Sequence, residues 1–252
     1  MTMNSLFRIS ILAWALFVSD ACHGRSLIAL DNALAVPCGS TNTQEQSTQD
    51  SAFANICNML TEADALFRSG KKSEAVQLGE KVLKLVRKHY GDNSKEMAFQ
   101  LSHVATYYNG YDTKKALEYG QKALLTMENI GDAQEEDFFF LYSGLGTSYH
   151  LLSDSENAII YTLKALDCAK IAFGEQSEAY IETLLQMGMY TNAENKDRYV
   201  EEAVKLAKQV YGDNSLQYAD VLYMSTLLDY KTGKQTINKL IECCNILENN
   251  NT

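Results

Sequence analysis

Apolar and small residues recur three or four positions apart along the chain from residue 51 onward, which predicts a series of amphipathic helices. Three stretches share one pattern of small residues, with spacings of four and three that place them on a single helix face: Ala75, Gly79 and Val82; Ala116, Gly120 and Ala123; Ala158, Thr162 and Ala165. Small side chains let neighbouring helices approach closely. The pattern therefore predicts helices that pack tightly against one another.

A short turn motif separates these helical patterns four times, as Tyr90-Gly91-Asp92-Asn93-Ser94 and at the equivalent glycines Gly131, Gly174 and Gly212. The glycines lie 40, 43 and 38 residues apart, so the chain repeats with a period of about 40 residues. We expect each glycine to adopt the left-handed conformation that ends a helix, and a polar residue after it to cap the next one. The repeating unit is then a helix, a short turn, a second helix and another turn.

The third unit carries the residues that suggest a family: Tyr142, Leu145-Gly146, Tyr149, Ala158 and Ala165. This set resembles the pattern of the tetratricopeptide repeat, and the longer period with a Gly-Asp/Glu turn is most similar to the subgroup found in kinesin light chains. The resemblance covers about residues 52–248. It implies an all-α fold, a right-handed α-solenoid of about five antiparallel helix pairs with the superhelix typical of this family.

The last two units depart from the family pattern. Lys196 stands where unit four should have alanine, and Ile237 and Cys244 stand at the two alanine positions of unit five. Between the helices of unit three, Ser153-Asp154-Ser155-Glu156 fits a capping box that begins the second helix. Units four and five are predicted to be displaced or to form a terminal cap.

The first 24 residues have the pattern of a signal peptide, with Arg8 before an apolar run from Ile9 to Val18. Cleavage after Ala21 and cleavage after Gly24 both remain open. The first would leave Cys22 at the N-terminus, as in a lipid-anchored bacterial protein. We therefore predict an exported protein, in the periplasm or cell envelope or secreted. The repeat domain is predicted at 51–248, between a flexible polar linker at 25–50 and a disordered tail at 249–252.

Composition excludes several other classes of protein. One proline and 14 glycines in 252 residues are too few for the turns of an all-β fold. The net charge of −10 and the pI of about 4.9 disfavour binding to nucleic acid. No window after the signal segment is long and apolar enough for a transmembrane helix.

No pattern of a metal site, a cofactor site or an enzyme active site is present in the sequence. The six cysteines form no CxxC motif, and the four histidines show no metal-ligand spacing. Cys57, Cys168 and Cys244 are predicted to be small buried residues, with a disulfide between Cys38 and Cys57 as the alternative. The glycine-rich Ser143-Gly144-Leu145-Gly146 is predicted to lie inside a helix, where it cannot bind a phosphate.

The family resemblance implies that the first helices of successive units line a concave groove that binds an extended peptide or a partner helix. Carried over by position, the groove residues are Phe67, Leu101, Tyr108, Asn109, Phe140, Ser143, Thr147, His150 and Met189, and the fuller lining adds Leu60, Asp64, Ala105, Glu182, Leu185, Asn192, Leu222, Thr226 and Asp229. Tyr107, Tyr149, Phe138 and Phe139 fit a hydrophobic core at least as well as a site. The predicted function is a non-catalytic protein-binding scaffold. The alternative is a stand-alone sensor or assembly component related to the extracellular region of a bacterial signalling protein.

Overall fold

The structure, a computed structural model, describes residues 43–228 and 233–250, and these residues form ten α-helices and no β-strand. The helices are α1 (Thr43–Arg68), α2 (Lys72–Tyr90), α3 (Lys95–Tyr108), α4 (Thr113–Glu128), α5 (Glu135–Leu151), α6 (Ser155–Phe173), α7 (Glu178–Tyr190), α8 (Ala193–Tyr211), α9 (Leu216–Leu228) and α10 (Lys234–Asn250). The predicted all-α solenoid class with five helix pairs is confirmed.

The chain divides into two compact units, which are larger than the numbered repeat units. The first compact unit is Met1–Leu152 and the second is Ser153–Thr252. In the first unit each of the helices α1 to α5 packs against the next one along the chain, and α3 also contacts α5. In the second unit α6 to α10 pack in the same way, and α7 also contacts α9. Within each unit the first helices of neighbouring pairs therefore touch one another, as a stack of helix pairs requires.

The small residues on the second helices lie at the packed faces, as predicted. Ala75 and Val82 on α2, Ala116 and Ala123 on α4, and Ala158 on α6 are fully buried. At Gly79 a Cβ atom would come within 2.8 Å of the Tyr107 ring. The close approach of the helices thus depends on side chains of this size.

The turn between successive pairs is built by a glycine and by a serine three residues later. Gly91 has φ 84° and ψ 179°, a region that only glycine occupies readily and that differs from the left-handed helical conformation predicted for it. Ser94 accepts a hydrogen bond from the Met97 amide at 3.1 Å, and its hydroxyl lies 3.5 Å from the Gly91 carbonyl, to which it donates. Ser177 and Ser215 make the same two contacts with their own turns. One serine therefore caps the new helix and ties it to the previous one.

Two of the predicted helix ends differ in the structure. Gly131 does not have a positive φ angle, because α4 already ends at Glu128 and Asn129 is its C-cap. The residue predicted to begin the capping box, Ser153, is not the N-cap of α6: Asp154 is the N-cap and accepts from the Asn157 amide at 3.1 Å. Ser153 instead has a φ of 63°, because three residues must reverse the chain between α5 and α6.

The helical region is longer at both ends than the predicted repeat domain. Helix α1 begins at Thr43, inside the segment 25–50 that was predicted to be a flexible linker, and α10 continues to Asn250. Glutamine and glutamate favour helices, so this polar stretch extends α1. The predicted signal peptide at 1–24, with Cys22, lies outside the described residues. Within the described part, no helix has the length and apolarity needed to cross a bilayer.

In repeat unit four, Lys196 stands at a position where alanine was expected, and the structure buries it. The ammonium group crosses to the end of α9 and donates a 2.5 Å hydrogen bond to the Leu228 carbonyl. Carbonyl groups at a helix C-terminus have no partner within the helix and carry partial negative charge. Lys196 therefore acts as a C-terminal cap for a neighbouring helix, which alanine could not do.

In repeat unit five, the packed face of α10 is shifted by one residue from the predicted register. Cys243 is buried and contacts the Ala219 carbonyl, whereas Cys244 and Ile237 are exposed. The prediction that Cys244 is buried is therefore wrong, and Cys243 takes the packed position. Cys57 and Cys168 are half-buried, and Cys38, the other member of the alternative disulfide, lies outside the described residues.

Candidate functional site

A small pocket opens between α3 and α5 in the first unit. We call it the α3–α5 pocket; its lining residues are Ser102, Ala105, Thr106, Asn109, Gly120, Leu141, Gly144, Leu145 and Ser148. Small side chains on both helices create the opening, and Gly120 of α4 contributes to its floor. Four of the lining residues carry polar side chains, so the pocket offers hydrogen bonds beside an apolar surface.

Asn109 is the best-defined polar group in the pocket. Its side-chain Oδ1 accepts from the Ser148 hydroxyl at 3.1 Å, and its carbonyl lies 3.4 Å from the Lys72 ammonium group, which donates to it. Its amide N–H donates to the carbonyls of Ala105 and Thr106. The Ser148 hydroxyl also lies 3.0 Å from the Gly144 carbonyl, so its one proton is shared between that carbonyl and Asn109. The Asn109 Nδ2 has no partner among the described residues.

Lys72 supports this arrangement from α2. Its ammonium group also lies 5.9 Å from the centre of the Phe67 ring, a cation–π contact. Burial lowers the pKa of Lys72 from its ordinary value. The lysine thus packs into the structure and positions the end of α3.

The residues predicted to line the groove lie deeper than expected. Five of the nine are buried, and four are half-buried: Asn109, Thr147, His150 and Met189. On α3 the pocket is lined by Ser102, Ala105, Thr106 and Asn109, and two of these, residues 105 and 109, were predicted to line the groove. On α5 it is lined by residues 141, 144, 145 and 148, none of which was predicted to line the groove. On α5 the pocket residues Leu141 and Ser148 are buried, whereas the predicted residues Thr147 and His150 are half-buried.

Tyr108 belongs to a packed cluster and not to the pocket. Its hydroxyl donates to Glu80 of α2 at 2.9 Å, and its ring stacks on Tyr119 of α4 at 5.5 Å. The Tyr119 hydroxyl donates to the same oxygen of Glu80 at 3.2 Å. Burial and the Glu80 carboxylate raise the pKa of both tyrosines. Tyr108 therefore joins three helices.

Phe67 and Asp64 belong to the interface between α1 and α3. The Tyr107 ring, which is fully buried, lies 5.7 Å from Phe67, and its hydroxyl donates to Asp64 at 2.6 Å. Burial, followed by the Asp64 carboxylate, raises the pKa of Tyr107 well above its ordinary value. Asp64 was predicted in the groove; the structure places it in the core. Asp229, also predicted there, lies outside the described residues.

Sequence reasoning did not name Ser102, Thr106, Gly144 and Ser148 as groove residues, although they line the α3–α5 pocket. One signal was available, since a glycine in the middle of a helix is costly unless packing or function uses it. At Gly144 an added Cβ would meet no atom within 4 Å, so core packing does not explain this residue. Within the described ranges, no group of three or more His, Cys, Asp or Glu residues could hold a metal ion.

His150 makes the stability of the first compact unit depend on pH. Burial lowers the pKa of this half-buried side chain from 6.5. As the pH falls through 6.5 the unfolded chain takes up a proton that the folded chain still excludes, so folding stability falls between this pH and the lowered pKa of the folded state. We expect His150→Gln to remove part of the loss of unfolding free energy between about pH 7.5 and about pH 5.5.

Urea unfolding followed by circular dichroism at the two pH values measures this effect. His89, which is exposed on α2, provides the matched control, and His89→Gln should leave the pH dependence as in the original chain. Equal effects of the two substitutions would contradict the role of His150.

Comparison with known proteins agrees with the helix-pair geometry. The sequence profile described as Tetratricopeptide repeat matches residues 63–95, which comprise the end of α1, all of α2 and the turn that follows. Residues 63–95 match a tetratricopeptide repeat. The predicted resemblance to this family is thereby confirmed.

Tetratricopeptide repeats also form the solved structures that this chain is similar to. A Podosopora anserina protein described as a kinesin light chain of nearly identical TPR-like repeats superimposes with a TM-score of 0.59 at 12% identity, over 78% of this chain and 96% of that one. A single-substitution variant of that protein superimposes with a TM-score of 0.54 at 14% identity, over 77% and 92%. At these identities the likeness shows the fold alone.

The curated relatives that this chain matches are fungal proteins. A Clustered mitochondria protein homolog of Coccidioides immitis is 24% identical over 153 residues, which are 57% of this chain and 12% of the relative. The homolog from Aspergillus fumigatus is 24% identical over 187 residues, which are 69% of this chain and 14% of the relative. The chain thus spans about an eighth of the length of the curated relatives it matches.

These relatives overturn the predicted localisation. They are clustered mitochondria proteins of fungi and are not exported or periplasmic proteins. The prediction of an exported protein in the periplasm or cell envelope, or secreted, is therefore wrong. An apolar run after a single arginine has the composition of a signal segment, but the same composition also occurs in segments with other roles.

Proposed function

We propose that this chain is a non-catalytic scaffold for protein interaction that binds an extended peptide segment in the α3–α5 pocket. The observation that carries the proposal is the fixed Asn109 side chain, whose Oδ1 is held by Ser148 while its Nδ2 remains a donor. An extended peptide has unpaired carbonyl groups that can accept from such a donor. A partner helix uses these carbonyl groups internally, so the pocket favours the extended ligand.

The position of the pocket agrees with this function. It lies between the first helices of two successive repeats, and both helices are held by packing on their neighbours. A pocket on rigid helices lowers the ordering cost of binding, because only the ligand must lose conformational freedom. The bacterial sensor is not retained as an alternative, since it required export.

Gly144 allows the pocket to be closed without damage to the fold. We expect Gly144→Ala to raise the free energy of unfolding by about 0.5–1 kcal/mol, because alanine favours a helix and its Cβ meets no atom within 4 Å. Gly144→Trp should fill the pocket and weaken binding of peptides selected from a random library on the unmodified chain by at least ~10-fold. Thermal unfolding and fluorescence polarisation measure the two effects.

Asn109 tests the polar part of the same pocket. Asn109→Ala should weaken the selected peptides by about 3-fold to 10-fold, the value of one hydrogen bond. Asn129, an exposed asparagine at the C-cap of α4, is the matched control, and Asn129→Ala should leave affinity unchanged. If the peptides bind equally to the chain with Gly144→Trp and to the unmodified chain, they bind elsewhere and the proposed site is wrong.

A further inference from the structure

Asn109 is followed by Gly110, and these two residues form the single Asn-Gly pair in the sequence of 252 residues. The side-chain amide of an asparagine can be attacked by the backbone nitrogen of the residue that follows it. Glycine favours this attack because it has no side chain to obstruct the approach. Every other asparagine of the chain precedes a residue that has a side chain. The pair is therefore the position at which the sequence is most prone to this reaction.

The turn after α3 leaves the reacting groups accessible. Helix α3 ends at Tyr108, Asn109 is its C-cap with ψ 127°, and Gly110 has φ 72°. Gly110 is exposed and Asn109 is half-buried. The N–H groups of Tyr111 and Asp112 both donate to the Tyr108 carbonyl, whereas the Gly110 N–H has no hydrogen-bond partner among the described residues. The nitrogen that must attack is thus not held by the fold.

The peptide group between Asn109 and Gly110 is also weakly held on its carbonyl side. Among the described residues, this carbonyl accepts one long hydrogen bond, from the Lys72 ammonium group at 3.4 Å. To bring the Gly110 nitrogen to the Asn109 Cγ, the chain must rotate about the Cα–C bond of Asn109. An asparagine inside a helix would break intrahelical hydrogen bonds in this rotation. Here the rotation costs one long hydrogen bond, and the wide range of φ open to Gly110 lets the turn adjust.

We propose that Asn109 is a site of spontaneous deamidation that inactivates the α3–α5 pocket with time; the effect on the pocket rests on the proposed function. The Gly110 nitrogen attacks the Asn109 Cγ, and the new N–Cγ bond replaces the Cγ–Nδ2 bond. Nδ2 leaves as ammonia and takes the proton of the Gly110 N–H. Water then opens the five-membered ring: its hydroxyl adds to one of the two ring carbonyl carbons, and its other proton goes to the Gly110 nitrogen.

The two directions of ring opening give two products at residue 109. Opening at Cγ gives aspartate, and opening at the backbone carbon gives isoaspartate, in which the chain continues through the side-chain carbon. Both products lose the Nδ2 donor and place a carboxylate beside Ser148. No residue that lines the pocket is charged, so nothing in the lining compensates this carboxylate. A carbonyl group of a bound peptide would then face negative charge in place of a donor.

Mass spectrometry of the full chain tests the reaction without any peptide ligand. The folded protein is incubated at mildly alkaline pH in water labelled with heavy oxygen, which enters the new carboxylate. We expect label at residue 109 at least ~10-fold faster than at Asn93 or Asn214, each of which precedes a serine. Asn109→Gln should suppress labelling at this position, because the longer side chain must close a less favourable six-membered ring.

The same measurement on the chain unfolded in urea tests the part of the proposal that depends on the structure. The rate at Asn109 in the folded chain should lie within about 10-fold of the rate in the unfolded chain, because the Gly110 N–H is not held. A larger suppression in the folded chain would mean that the fold protects Asn109. That result, or label that appears first at another asparagine, overturns the proposal.

Binding of the selected peptides separates this inference from the proposed function. The deamidated chain and Asn109→Asp should both bind them at least ~10-fold more weakly than the unmodified chain, because a donor is replaced by a charged acceptor. Asn129→Asp, at the C-cap of α4, is the matched control and should leave affinity unchanged. If residue 109 deamidates and affinity is unchanged, the peptides bind elsewhere, and the proposed function and the inactivation are both wrong. A chain that keeps its amide overturns the deamidation itself.

Discussion

Replacing Tyr107 by phenylalanine is expected to lower the free energy of unfolding by about 2 kcal/mol, although the substitution removes a single oxygen atom. The Tyr107 hydroxyl donates a 2.6 Å hydrogen bond to Asp64, and both residues are buried. A hydrogen bond to a charged group contributes ~1.5–3 kcal/mol, and its loss leaves a carboxylate oxygen of Asp64 without this donor. Tyr107→Ala should cost more, about 4 kcal/mol, because it also empties the space between Phe67 and Gly79.

Urea unfolding followed by circular dichroism measures both variants. Tyr111 is the matched control, since it is exposed and Tyr111→Phe removes the same atom; its effect should stay within about 0.5 kcal/mol. A double-mutant cycle with Asp64→Asn assigns the effect to the pair. If the losses in the cycle simply add, the hydroxyl acts through something other than Asp64.

Gly188→Ala is expected to destabilise the second unit by about 2 kcal/mol. A Cβ atom at this position on α7 would lie 2.5 Å from Val200 Cγ2 of α8, far inside the contact distance of two carbon atoms. Val200 is buried and β-branched, so its methyl group cannot move away by a simple rotation. The resulting overpacking outweighs the gain of up to ~1 kcal/mol in helix propensity.

The substitution Val200→Ala tests whether the steric contact with Val200 causes the loss of stability in Gly188→Ala. By itself it should lower stability, because it leaves a cavity. Combined with Gly188→Ala it should cost less than the sum of the two single losses, because the new methyl group fills the space that the valine vacates. Gly144→Ala is the control for the substitution itself, since it is expected to stabilise. A double variant as unstable as the sum would contradict the steric explanation.

The helix-pair architecture could be predicted from the sequence because its determinants are local and repeated. The glycine at each turn and the small residues at Ala75, Ala116 and Ala158 recur with the period, so an error at one position is corrected by the others. Serine three residues after Gly91 caps α3 for the same reason that serine caps helices elsewhere. Because each of these residues recurs in successive repeats, the predictions did not depend on any single position.

The contacts of the predicted groove residues could not be predicted from the sequence, because they depend on a small rotation of each helix. The offsets place Tyr108 on the same side as Asn109, but neighbouring residues on a helix point about 100° apart. Whether Tyr108 or Asn109 reaches the pocket depends on Glu80 and Tyr119, which hold the Tyr108 ring from two other helices. These contacts lie 28 and 11 residues away in sequence, so no local pattern encodes them.

The register of unit five failed for a related reason. Repeat unit five has no glycine motif after it and no alanine at either packed position. Nothing in the sequence therefore indicated that the predicted register was wrong by one residue. The structure shows the consequence in Cys243 and Cys244, of which only the first is buried. A buried lysine, Lys196, was likewise unpredictable, because its partner is the end of a helix that follows 32 residues later.

The packing of each helix on its neighbours in sequence has a consequence for how the chain folds. Contacts between adjacent helices close short loops, and chains with mainly local contacts fold quickly. Such a chain also opens in parts, because a terminal helix can detach while the remaining pairs stay packed. Amide hydrogens in different helices are then protected from exchange with solvent to different degrees. The protection changes gradually along each compact unit, because no single unfolding step controls all of the helices.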